Sequence, residues 1–200
     1  MDKSKLYITL TALNDRERQK FSEYVHAPFI NKNEKLKKLC VIILNHSAQP
    51  SKAGLSKKLI YKRLFGDEDY RELKLNNIIS DLFRLLQDFL AYQEYLMDPL
   101  LKQNLLAKSL IKREHYPNFN SIIRRYTQLL EKIDYSNYSS FQEQYKFHEV
   151  MDHFSLSGDK RSMSKSLQSK HDSLDLSYFA NKLRIACDMR SRNMVINAGY

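Results

Sequence analysis

The sequence predicts an all-α protein, and three observations support this class. Only four Gly and four Pro occur among 200 residues, which leaves little turn chemistry for a β-protein. Apolar residues recur at spacings of three and four along most of the chain, as one face of a helix requires. Asn or Asp precedes several of these runs with Glu three residues later, a helix-capping pattern. We expect a helical module at residues 1–97 around one long central helix, followed at 98–200 by antiparallel helical hairpins in a solenoid-like arrangement.

The first helices are indicated by their caps. Residues 6–13 predict either a short extended segment or a first helical turn. Asn14 with Glu17 then forms a capping box, and the helix it starts ends before Pro28. The next helix is capped by one of two alternatives, Asn31 paired with Glu34 or Asn33 alone, and its apolar residues are Leu36, Leu39, Cys40, Ile43 and Leu44.

A short helix follows the polar segment 45–52. Ser56 caps it, and Gly66 suits the left-handed position at its end. We expect four of its residues to point inward: Leu59, Ile60, Leu64 and Phe65.

The central helix is predicted at residues 69–97. Asp69 and Glu72 form its capping box, and Asp98-Pro99 ends it. Two adjacent apolar stripes indicate that neighbours cover a wide arc of this helix. The stripes are Leu75, Ile78, Leu82, Leu85, Phe89 and Leu96, and beside them Ile79, Phe83, Leu86 and Leu90.

Longer helices joined by short polar turns are predicted after Pro99. The expected helices run from Pro99 to near His115, from Asn118 or Asn120 to Ile133, from about Phe141 to Phe154, and from about Ser164 towards Asn197. The first carries Leu100, Leu101, Leu105, Leu106 and Leu110, and the last places Leu174, Tyr178, Phe179, Leu183, Ala186 and Met189 on one side. The apolar ending MVINAGY favours a chain that continues into a longer array.

The net charge of +10 is spread along the chain. Residues 1–50 carry nine basic and five acidic side chains, and residues 161–200 carry seven and three, so each end has +4. The two segments between them have +1 each. A diffuse excess favours solubility and weak attraction to polyanions, and it defines no binding surface.

Catalytic and cofactor motifs are absent from the sequence. It has no GxSxG turn and no SxxK motif, and four scattered Gly residues cannot form a phosphate loop. His148 and His153 in HEVMDH are five residues apart, whereas two zinc ligands on one helical face are four apart. We therefore expect a non-enzymatic protein without a metal or cofactor.

The sequence predicts a cytoplasmic protein that does not cross a membrane. No apolar run approaches the roughly 20 residues of a membrane helix. Cys40 and Cys187 each lie among apolar residues of predicted helices, so we expect both to be small core residues in a reducing compartment.

Nucleic-acid binding is the main alternative function. Residues 56–84 have the outline of a helix-turn-helix, similar to the winged-helix domains of bacterial response regulators. The base-reading candidates are Arg71, Lys74, Asn77 and Arg84. The acidic run Asp67–Asp69 and the lack of a wing favour a helix pair that only packs. Basic residues also alternate with aromatic ones at 124–126 and 178–192, which is more typical of a solvated helix than of a single-strand site.

Four segments resemble a family of uncharacterised all-helical proteins widespread in Bacteroidetes. They are FSEYVHAPFINKNEKLKKL at 21–39, LIYKRLFGDEDY at 59–70, LNNIISDLFRLLQDFLAY at 75–92 and YFANKLRIACDM at 178–189. The family pattern has Ser where this chain has Ala27. The resemblance implies an N-terminal helical module followed by tetratricopeptide-like helical pairs, and it implies no reaction. We expect a protein-interaction or scaffold module that binds a protein partner or itself.

Overall fold

The computed structural model describes residues 4–48, 55–133, 138–157, 165–196 and 199. These residues form nine α-helices and no strand, which confirms the all-α class. The helices are α1 (Lys5–Ala12), α2 (Asp15–His26), α3 (Glu34–Ala48), α4 (Lys57–Phe65), α5 (Glu72–Met97), α6 (Pro99–Lys112), α7 (Phe119–Leu130), α8 (Tyr138–Ser157) and α9 (Ser166–Ile196). The chain forms two compact units, Met1–Glu94 and Tyr95–Tyr200. The boundary between the units, after Glu94, and the predicted boundary, after Met97, both lie in the last turn of α5.

Side-chain caps start the first two helices. The Ser4 hydroxyl accepts a hydrogen bond from the Tyr7 amide at 3.3 Å, so residues 6–13 are largely helical. The capping box of Asn14 and Glu17 is confirmed, because each side chain accepts from the other's backbone amide at 2.9 Å. Helix α2 then ends before Pro28 as predicted.

The turn between α2 and α3 separates the roles of two asparagines. The side-chain Nδ2 of the buried Asn31 donates to the Val25 carbonyl at 3.0 Å, and its side-chain oxygen accepts from the Asn33 backbone amide at 2.9 Å. The Asn33 side chain accepts from the Lys35 amide at 3.0 Å. Asn33 therefore caps α3, while Asn31 holds the turn in place.

Helix α4 buries three of its four predicted inward residues, Ile60, Leu64 and Phe65. Gly66 follows it with φ of 72°, in the left-handed region that favours glycine. The prediction that Leu59 points inward is wrong, because Leu59 is 61% exposed. Tyr61 takes the inward place and packs against Phe65 with ring centroids 4.4 Å apart.

Helix α5 begins three residues later than predicted. The predicted capping box at Asp69 is wrong, because the Glu72 carboxylate accepts instead from Lys57 Nζ on α4 at 2.7 Å. The wide apolar arc is present, with Leu75, Leu82, Leu86 and Phe89 buried and Ile78, Ile79, Phe83, Leu85 and Leu90 packed beside them. Leu96 lies outside this arc and is 39% exposed.

All five helices of the first unit contribute to one core. Phe21 of α2 is fully buried and its ring centroid lies 5.4 Å from that of Phe89 on α5. Leu10, Ile43 and Ile60 bring α1, α3 and α4 into the same apolar cluster.

The second unit has a smaller core between α6, α7 and α8. Ala107, Phe119, Ile122 and Val150 are buried together. Leu105 and Leu106, two of the apolar residues that predict α6, are 47% and 42% exposed. The inward positions of α6 are instead Ala107 and a polar residue, Asn104.

Hydrogen bonds join α6 to α7 and to α8. The Asn104 amide donates to the Tyr126 hydroxyl and to the Lys146 carbonyl, both at 3.3 Å. One turn later, Lys108 Nζ donates to the Glu149 carboxylate at 2.8 Å. Because both partners advance along the chain, α6 and α8 run parallel.

Candidate functional site

The last helix packs on α8 along one narrow face. The Lys170 ammonium donates to the Asp152 carboxylate at 3.1 Å, and the hydroxyls of Ser155 and Ser166 lie 3.5 Å apart. These pairs run in opposite directions along the two helices, so α8 and α9 are antiparallel. Ser173 is the buried residue of α9. The contact face is therefore made of small and polar side chains.

The large apolar side chains of α9 lie away from α8 and are exposed. At about 100° per residue they form two stripes on roughly opposite sides, with the α8 contact face between them. The first stripe is Leu174, Tyr178, Ile185, Met189 and Ile196, with exposed fractions of 48%, 54%, 48%, 39% and 67%. The second stripe is Leu176, Phe179, Leu183 and Met194, with exposed fractions of 50%, 59%, 68% and 81%.

The six apolar residues predicted on one side of this helix lie on the half that faces away from α8, divided between the two stripes. Leu174, Tyr178 and Met189 belong to the first stripe, whereas Phe179 and Leu183 belong to the second. The helical angle of each residue is readable from the sequence, but the face that α8 covers is not. Every side chain from Lys182 to Arg192 is exposed.

Burial of these stripes by a partner would contribute a large favourable free energy to binding. Burying one Leu, Ile, Phe or Met side chain contributes about 1.5–3 kcal/mol. Scattered exposed apolar residues are ordinary on a protein surface, whereas contiguous ones mark interaction sites. The two stripes together are the most concentrated apolar surface in the described part of the second unit.

The exposed half of α9 is also basic. Residues 182–196 carry Lys182, Arg184, Arg190 and Arg192 against the single acidic residue Asp188. Arg184 lies 3.4 Å from the Asp188 carboxylate, one turn away on the same helix. The surface therefore combines apolar stripes with a net positive charge.

The predicted base-reading residues lie on α5 and just before it, among carboxylates. Lys74 Nζ donates to Glu68 at 2.5 Å and lies over the Phe65 ring, 4.4 Å from its centroid. The pKa of Glu68 is lowered, first by this hydrogen bond and then by nearby positive charges. Lys74 is thus occupied by contacts within the first unit.

The other three candidates are exposed. Arg71 and Asn77 face solvent, and Arg84 lies 3.5 Å from the Asp81 carboxylate with its side chain 73% exposed. Arg84 lines a cleft of about 180 Å³ together with Asp81 and Asp88. This face carries mixed charge, so the nucleic-acid function stays a prediction that the geometry does not favour.

The histidines of HEVMDH lie in different environments. His148 is half-buried and its pKa is lowered by burial, while His153 is exposed. In the described ranges no three His, Cys, Asp or Glu side chains come together as a metal site.

The two cysteines also differ. Cys40 lies in the core of the first unit as predicted, and burial raises the pKa of its thiol to about 12. The prediction that Cys187 is a core residue is wrong, because it is exposed on α9. Among the described residues, no helix is both long and apolar enough to span a bilayer.

Comparison of the chain with protein-family models, with curated proteins and with solved structures finds no match. The resemblance to the Bacteroidetes family and the tetratricopeptide-like repeats therefore stay predictions.

Proposed function

We propose that this protein is a non-enzymatic interaction module that packs acidic amphipathic helices of a protein partner against α9. The observation that carries this proposal is the pair of exposed apolar stripes on opposite sides of one helix. A helix with neighbours on several sides is also what a solenoid-like array contains. We place the protein in the cytoplasm, where the free Cys40 and Cys187 stay reduced.

The two-sided pattern distinguishes partner helices from a membrane surface. A helix that lies in a bilayer interface buries one apolar face and keeps the opposite face in water. On α9 the opposite faces are both apolar, for example at Ile185 and Leu183. Two packed helices can cover both stripes at once, whereas one lipid interface cannot.

Charge favours an acidic partner over a second copy of this chain. The exposed half of α9 is basic, and the whole chain carries +10. Two copies would repel each other at long range, whereas acidic residues flanking an apolar stripe would complement Lys182 and Arg190.

Designed helical peptides test this proposal. The probe has Leu along one face and Glu elsewhere, and fluorescence anisotropy measures its binding to the full chain. One comparison peptide has Lys in place of Glu, and another has the same composition with the Leu residues scattered. We expect saturable binding of the Leu/Glu peptide alone.

Matched variants locate the binding surface. Phe179→Gln with Leu183→Gln removes part of the second stripe, and we expect about tenfold weaker binding or more. Leu59→Gln with Leu73→Gln is the control, because these residues of the first unit are 61% and 79% exposed. Equal binding by both double variants, or no saturable binding, would overturn the proposal. If the wild-type chain forms a dimer and the variant Phe179→Gln with Leu183→Gln is a monomer, a second copy of the chain is instead the occupant.

A further inference from the structure

A second surface lies in the first unit, well separated in sequence from α9. A cleft of about 370 Å³ is bordered by α2, α3 and α4. Its apolar floor is formed by Val41, which is 40% exposed, and by the half-buried Ile42. Its basic rim is formed by His26, Lys37, Lys38 and Arg63.

The rim carries an excess of positive charge. Glu34 is the one carboxylate that the described residues place at this rim, and it accepts from Lys37 Nζ at 2.7 Å. The pKa of Glu34 is lowered first by this hydrogen bond and then by the charge of Lys37, with smaller contributions from Lys38 and His26. Lys37 and Glu34 neutralise each other, which leaves Lys38 and Arg63 unbalanced.

The two unbalanced cations are available for a ligand. Both side chains are exposed, and neither forms an ion pair with another described residue. The His26 ring at the same rim is fixed, because its Nδ1–H donates to the Ser22 carbonyl at 2.7 Å.

We propose that this cleft binds an acidic peptide segment of a protein partner, with one bulky apolar side chain on Val41 and Ile42 and flanking carboxylates against Lys38 and Arg63. The basic rim favours a ligand of negative charge, because the charges are then complementary. The apolar floor requires that the ligand also carry an apolar side chain. The exposed rim favours a peptide over a free metabolite, because small-molecule sites enclose most of their ligand. This site is independent of α9 and of the function proposed for it.

Three fluorescent peptides test the cleft with the full chain. The probe is a short peptide with Asp and Glu on both sides of one Leu. In the second peptide the acids are replaced by Asn and Gln, and in the third the Leu is replaced by Ser. We expect saturable binding of the probe, weakened by added salt, and about tenfold or more weaker binding of both comparison peptides.

Charge-reversed variants assign the binding to the cleft. Lys38→Glu with Arg63→Glu should weaken binding of the probe by about tenfold or more. Arg16→Glu with Lys58→Glu is the matched control, since it changes the net charge equally at two exposed residues of the same unit. Val41→Gln tests the floor without changing charge, and circular dichroism confirms that each variant is folded.

Three outcomes would overturn the inference: no saturable binding of the probe, equal binding of the amide peptide, or equal loss in the control double variant. Equal loss in the control double variant would show that the probe is attracted to the net charge of the whole chain and not to the cleft. The stripe variant Phe179→Gln with Leu183→Gln should bind this probe like the wild type. The experiments therefore distinguish a failure of the cleft proposal from a failure of the α9 proposal.

Discussion

The two units differ in where their apolar side chains lie. In the first unit, every helix from α1 to α5 places side chains in one buried core. In the second, α6, α7 and α8 enclose a smaller core, and the apolar residues of α9 remain exposed. The same residue types therefore stabilise the fold in one unit and are left available for binding in the other.

Two phenylalanines illustrate the difference. Phe21 is fully buried and packs against Phe89, whereas Phe179 is 59% exposed and its one ring contact among the described residues is with Tyr178. Both stand in helices with apolar neighbours three and four residues away. The spacing of apolar residues thus predicts a helix, but it does not predict whether anything covers that helix.

Thiol chemistry should show the largest contrast between the units. Burial raises the pKa of Cys40 to about 12 and shields its sulfur, whereas Cys187 is exposed. Since Cys40 reacts only after local opening that costs several kcal/mol, we expect Cys187 to react about a thousandfold faster or more. A chromogenic disulfide reagent would measure both rates in the native protein.

Cys187→Ser should remove the fast phase, and denaturant should bring Cys40 to the rate of a free thiol. Two equally fast thiols in the native protein would contradict the contrast.

Substitution of the two phenylalanines should lower the stability of the protein by very different amounts. Phe21→Ala leaves a cavity in the first core and should lower the free energy of unfolding of that unit by about 3–5 kcal/mol. Phe179→Ala loses few contacts, so its effect should lie within about 0.5 kcal/mol. Native-state hydrogen exchange reports each unit separately. A comparable loss for both variants would mean that α9 is covered in solution.

A smaller, pH-dependent effect should appear at the ion pair between α6 and α8. The hydrogen bond from Lys108 is the first cause of the lowered pKa of Glu149, followed, after opposing desolvation, by nearby positive charges. A lowered folded pKa means that this stabilisation is complete above the unfolded Glu pKa, about 4.3, and is lost as pH falls through the folded value.

Lys108→Gln should therefore reduce stability by about 1 kcal/mol or less at neutral pH, with the difference from wild type vanishing in acid. Denaturation curves at several pH values test this. A difference that grows as pH falls would show that the pair does not stabilise the fold.

The smallest expected effect concerns duplex DNA. Arg71→Glu with Lys74→Glu should change electrophoretic mobility shifts no more than Arg16→Glu with Lys58→Glu, because only general attraction to the +10 chain is reduced. A selective loss in the first variant at low salt would favour the nucleic-acid regulator instead.

Local chemistry was the predictable part of this fold. The capping box of Asn14 and Glu17, the stop at Pro28 and the left-handed Gly66 are decided by residues adjacent in sequence, and all three are confirmed. Choices that depend on distant partners were not predictable. Glu72 could cap its own helix, yet it pairs with Lys57, fifteen residues earlier in the chain.

The candidate sites were predictable only in composition. Apolar residues of α9 are evident in the sequence, but their exposure depends on α8 covering the face of Ser166, Lys170 and Ser173. The basic cleft joins His26, Lys38 and Arg63 from three helices, so no local motif contains it. The adjacent lysines at 37 and 38, one turn before Val41, were its only sequence signal.

The opposed stripes of α9 also bear on avidity. If both partner helices belong to one hairpin, docking of the first raises the effective concentration of the second to about the millimolar range. Two individually weak contacts at Leu183 and Ile185 would then hold the hairpin firmly, while a lone helix would dissociate readily. Selectivity for partners that present two helices together would follow from the geometry of a single helix.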